Sequence, residues 1–134
     1  LAVTGVQTCA LPIYYMGAPE NLKRGTVELL LLTLLQTEDM YGYQLSQKLD
    51  EFSEGLFVLQ EASMYVILYR MQEKGYISAS QQLVGRRRTR VYYHLEEKGK
   101  EYLKQVRKEY FSVTKGVLNV LRKCGEGLAE DEQL

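Results

Sequence analysis

Four arginines fall within five consecutive positions of this chain, Arg86, Arg87, Arg88 and Arg90, with no acid among them. Holding so many guanidinium groups together costs repulsion that an anionic partner removes, and guanidinium forks match phosphate oxygens. Release of condensed counterions would supply much of the affinity for such a partner. Upstream stand Ser63, Tyr65, Tyr69 and Arg70. Hydroxyls can donate to phosphates or base edges, and an arginine can pair bidentately with guanine O6 and N7. Tyr43 belongs with this set, because tyrosines 41, 43, 65, 69, 92 and 93 gather around it in sequence. The bland alternatives are a solvated helix face for residues 63–70 and a soluble loop tip for the arginines.

Nothing else in the chain suggests chemistry. The single histidine, His94, has no ligand-like spacing to the two cysteines, Cys9 and Cys124. A metal site and a disulfide framework are therefore not expected. No nucleophile–base pair and no phosphate-binding glycine loop is present, so no catalytic residue, metal or cofactor is assigned and an enzyme is not expected. His94 reads as structural.

Charge distribution matters more than total charge. The 134 residues carry 17 bases and 17 acids, a formal net charge of zero. Four of those acids lie in the last nine residues, leaving 13 against 17 bases in residues 16–125, a net of +4. A modestly basic body with an acidic tail is compatible with nucleic acid. No uninterrupted apolar run exceeds the six residues Met64–Tyr69, too short for a membrane span; a cytoplasmic protein is expected.

The elements that would position these residues follow from periodicity. A first helix is expected over Leu22 to Leu35, with apolar residues nearly all round; its second side, including Leu29 and Leu32, is expected to meet a partner chain. A second helix runs from Gly42 to Phe52 and ends at Ser53-Glu54-Gly55. A third covers Ala62 to Lys74, with Met64, Ile67, Leu68 and Met71 facing inward, Ser63, Val66, Arg70 and Glu73 outward, and Gly75 ending it. Two strand-like runs follow, Tyr76 to Val84 and Thr89 to Leu95, around the arginine tip. The last helix spans Glu97 to Cys124, where Leu103, Val106, Tyr110, Val113, Val117 and Val120 make a heptad seam suited to a second copy of the chain. The fold class is mainly α with a small β-hairpin. Three helices, a hairpin and a further helix give the order of a winged helix-turn-helix with a long C-terminal dimerisation helix.

The ends of the chain read differently. Residues 1–15 carry no charge and are taken as a non-native or disordered extension; Val3 to Ile13, VTGVQTCALPI, resembles the translated sequence of a sequencing-library adapter. Residues 16–99 are assigned to the winged helix-turn-helix, 100–125 to the dimerisation helix and 126–134 to a disordered acidic tail.

Several segments together resemble the PadR family of bacterial transcriptional regulators in its short form. They are Leu22-Lys23-Arg24-Gly25-Thr26-Val27-Glu28-Leu29-Leu30-Leu31-Leu32, Met40-Tyr41-Gly42-Tyr43-Gln44-Leu45, Ala62-Ser63-Met64-Tyr65, Leu68-Tyr69-Arg70-Met71, Glu73-Lys74-Gly75-Tyr76-Ile77 and Arg90-Val91-Tyr92-Tyr93-His94-Leu95, then Lys98-Gly99. They span residues 22–99 in the family's order. The family usually has Gly where this chain has Ala62, and Pro where it has Val66. The resemblance implies a homodimeric repressor that binds double-stranded DNA and is released from its operator by a small-molecule effector; the two-fold symmetry of a dimer built on the heptad seam would match a palindromic operator. Relatives with one C-terminal helix can bind flat aromatic compounds between the two chains, partly through tryptophan, of which this chain has none; no effector-binding residue is assigned. The rival reading is a winged-helix protein–protein adaptor without DNA binding.

Overall fold

The computed structural model describes Lys23 and residues 25–125. The elements expected at residues 1–15 and 126–134 lie outside them. Four helices and three strands follow in the order α1 (Thr26–Thr37), β1 (Met40–Tyr41), α2 (Gly42–Phe52), α3 (Glu61–Glu73), β2 (Ile77–Leu83), β3 (Thr89–Leu95) and α4 (Glu97–Lys123). The three strands make one antiparallel sheet in the order β1-β3-β2.

One core binds these elements. Leu31, Leu32, Leu34 and Leu35 of α1 meet Leu45 and Leu49 of α2, Met64, Leu68 and Met71 of α3, and Ile77, Tyr93 and Leu95 of the sheet. Leu103 closes it from α4, and among the described residues no buried polar side chain interrupts it. The inward row on α3 is the one its spacing predicts. That helix ends in a Schellman motif: the Tyr76 amide donates to Met71 and the Gly75 amide to Gln72, both at 3.0 Å. Gly75 adopts the left-handed φ of 80° that the motif requires.

Three expectations need correction. The helix expected over Leu22 to Leu35 is interrupted at Gly25, whose φ of 87° is left-handed: Lys23 is helical and α1 starts afresh at Thr26, while Leu22 lies outside the described residues. The two-residue strand β1 was not expected; it pairs Met40 with Tyr93 and Tyr41 with Tyr92, widening the hairpin to a three-stranded sheet. The second apolar side of α1 is covered by α4 of the same chain, not left for a partner. Leu32 and Leu103, both expected at a dimer interface, have 0% and 1% of their surface exposed, and Leu29 is also buried. Tyr102 fastens this α1–α4 junction by donating to the Glu28 carboxylate at 3.0 Å while stacking on Tyr76 at 4.2 Å.

The start of α4 is held as closely. The Glu96 amide donates to the Tyr76 carbonyl at 3.0 Å. A Cβ at Gly99 would lie 2.1 Å from that same carbonyl oxygen, so only glycine lets the helix leave the sheet here. No helix among the described residues is long and apolar enough to cross a membrane.

Candidate nucleic-acid interface

The outward face of α3 is open. Ser63, Tyr69 and Arg70 are exposed, and so are Ala62 and Val66 between them. Their positions follow from the helical period, since Met64, Leu68 and Met71 fix the opposite face in the core. Tyr65 stands apart from the other hydroxyls. Its ring packs against the start of α2, where a Cβ on Gly42 would come within 2.9 Å of the ring carbons. Its hydroxyl donates to Glu61 at 3.5 Å. Partial burial and the Glu61 carboxylate push the Tyr65 phenol up from its ordinary value, and burial followed by the nearby Tyr65 does the same to Tyr93. Tyr65 is therefore a joint between α2 and α3, with its edge still at the surface. Tyr43, on α2, is exposed, and its hydroxyl accepts from Gln47 at 3.0 Å.

The wing separates the four arginines into two groups. β2 and β3 pair from Ile77–Leu95 out to Leu83–Thr89. The tip is closed by the Val84 amide donating to Arg88 at 2.7 Å. Arg86, Arg87 and Arg88 sit on that tip, exposed. Arg90 lies inside β3, on the same face as Tyr92. Its guanidinium is 4.2 Å from the centre of the Tyr41 ring, which in turn meets Tyr92 edge-on at 5.4 Å. The sequence places Tyr41 among the clustered tyrosines but gives no sign of its contact with Arg90. The alternation of β3 shows that Arg90 and Tyr92 share a face, but the strand that brings Tyr41 beside them is two residues long and leaves no periodic signal.

Below this stack, Asp39 and His94 close the β1–β3 edge with a 2.7 Å contact between Oδ1 and Nδ1. Tyr41 and Tyr92 also line an open groove of about 780 Å³ against Gln44, Gln47, Lys48, Asp50 and Glu51 of α2. Its mixed charges do not match a phosphate path. Among the described residues, no group of three or more His, Cys, Asp or Glu side chains converges.

The second half of α4 carries the other surface. Past Leu103 and the half-buried Val106, the seam residues Tyr110, Val113, Val117 and Val120 are all exposed, with Val113 66% open and Val120 61% open. Phe111 and Leu121 extend this apolar surface. Cys124 is exposed at the helix end.

A family model described as the transcriptional regulator PadR-like family matches residues 31–105. An uncharacterized protein of Lysinibacillus sphaericus is 32% identical over 93 residues, covering 69% of this chain and 85% of its own. The crystal structure of a PadR-like transcriptional regulator from Bacillus cereus is 32% identical and superposes with a TM-score of 0.66, covering 75% of this chain and 96% of that one. Bacillus subtilis PadR, solved in complex with operator DNA, shares 20% identity and a TM-score of 0.56, over 60% of this chain and 45% of its own, a likeness of fold.

Proposed function

Because this chain belongs to the PadR-like family of transcriptional regulators, we propose that it is a sequence-specific DNA-binding repressor. It acts as a homodimer on a palindromic operator and is released by a small-molecule effector. The observation that carries the DNA reading is the exposed cluster Arg86, Arg87 and Arg88 on a paired hairpin's tip, in a chain whose α3 also has an exposed outward face. Bacillus subtilis PadR, which shares the fold, was solved on operator DNA.

In this reading α3 lies in the major groove, with Ser63, Tyr69 and Arg70 toward base edges and phosphates. Tyr43 and Tyr65 border the same surface. The three tip arginines neutralise phosphates, which positions the chain without reading sequence. Arg90, held on Tyr41, stiffens the wing and adds its charge at the base.

The dimer rests on α4. Tyr110, Val113, Val117 and Val120 leave an apolar stripe on one side of a long helix, and a second copy of the same helix covers it in a two-fold arrangement. Val106, half-buried, lies at the upper edge of that contact. Two-fold symmetry suits a palindromic site. An aromatic effector would be seated near this interface.

A salt titration of binding to duplex DNA tests the reading. Affinity falls steeply with rising salt if phosphates are gripped; binding indifferent to salt would remove DNA as the partner.

A further inference from the structure

The outward face of α3 carries more than hydrogen-bonding groups. Ala62, Val66 and Tyr69 stand four and three residues apart and so form one ridge along the helix. Val66 has 54% of its surface open and Tyr69 63%. A single exposed valine on a surface is ordinary. This one sits mid-helix between Ser63 and Arg70, on the face opposite the Met64–Leu68–Met71 row that the core has taken. β-Branching leaves it one strongly preferred rotamer in a helix, so it presents a fixed apolar surface rather than a mobile one.

A duplex offers few apolar features. In the major groove the edges of guanine, cytosine and adenine present donors and acceptors, and thymine alone adds a methyl group. The arginines of the wing supply attraction to any sequence, and the polar groups beside Val66 suit phosphates and the polar edges of bases. They leave the ridge to be matched by an apolar base edge.

We propose that Val66, assisted by Ala62, recognises thymine 5-methyl groups in the major groove and so sets part of the operator sequence. This rests on the DNA reading above. Val66 is a specificity residue: it contributes to choice among sequences, whereas the tip arginines contribute to binding any of them.

The test begins with the duplex most enriched from a random pool. Each thymine is then replaced in turn by deoxyuridine, which pairs identically and lacks the methyl group. The unaltered protein loses about fourfold in affinity at one or two positions of each half-site, the factor that burying one methyl-sized group brings. Val66→Ser loses that sensitivity at one of those positions and keeps its salt dependence. Val66→Ile retains the sensitivity. Because Val66 lies outside the core, thermal unfolding of both variants stays at that of the parent. An enriched duplex with no uridine-sensitive position, or one equally sensitive in Val66→Ser, would overturn the contact alone. A pool with no enriched sequence would overturn the contact and the DNA reading beneath it.

Discussion

The Arg90 guanidinium rests 4.2 Å from the centre of the Tyr41 ring, joining the strand that precedes α2 and α3 to the wing that follows them. Both residues are half-buried, and a contact of this kind is worth about 0.5–2 kcal/mol. A double-mutant cycle of Tyr41→Leu and Arg90→Ala, read by urea unfolding, should give a coupling of about that size. Tyr41→Phe keeps the ring and should keep the coupling. Additive effects of the two substitutions would show that the stack contributes nothing to stability.

The tip arginines should behave as phosphate contacts. Arg87→Ala is expected to weaken binding to all duplexes alike and to flatten the dependence of log affinity on log salt by about 0.9. Arg70→Ala should instead cost about 1–3 kcal/mol on the preferred site and relax the choice of base at one position. Binding isotherms on specific and random duplexes over a range of salt separate the two behaviours.

Much of this architecture is legible in the residues. The i, i+3, i+4, i+7 row of Met64, Ile67, Leu68 and Met71 places α3 and its inward face, and Gly75 marks its end because the left-handed turn there suits glycine. The alternation of Tyr93 and Leu95 gives β3. What is not legible is which surface covers which. A helix apolar nearly all round must be covered twice, but periodicity does not say whether by its own chain. Leu32 and Leu103 turn out to cover one another's neighbourhood within one core. The four arginines likewise look equivalent in sequence. Only the pairing of β1 with β3 reveals that Arg90 has a ring to lie on, while its three neighbours do not share that strand position.

Tyr102 should leave a mark on alkaline stability. Burial, then its hydrogen bond to Glu28 and that carboxylate's charge, raise its phenol from 10.0 to about 12. A value raised by folding means that the protonated phenol is favoured in the folded chain. Its contribution is complete below pH 10 and is lost as pH rises from 10.0 toward about 12. Unfolding midpoints should therefore fall more steeply through that window in the parent than in Tyr102→Phe. Identical alkaline limbs would contradict the assignment.

The apolar stripe on α4 should be where chains associate. Val117→Asp places a carboxylate in the middle of it, where a paired helix would have to bury an unpartnered charge. Light scattering should show a monomer, with the helical content of residues 26–123 retained. A variant that remains dimeric would move the interface elsewhere.

The most direct test of the account is selection of bound sequences from random duplex DNA at physiological salt. A dimer that sets two copies of α3 into successive major grooves should return a palindromic consensus with half-sites about one helical turn apart. A pool from which no sequence is enriched would contradict it, and would point instead to a winged helix whose arginine tip serves another protein.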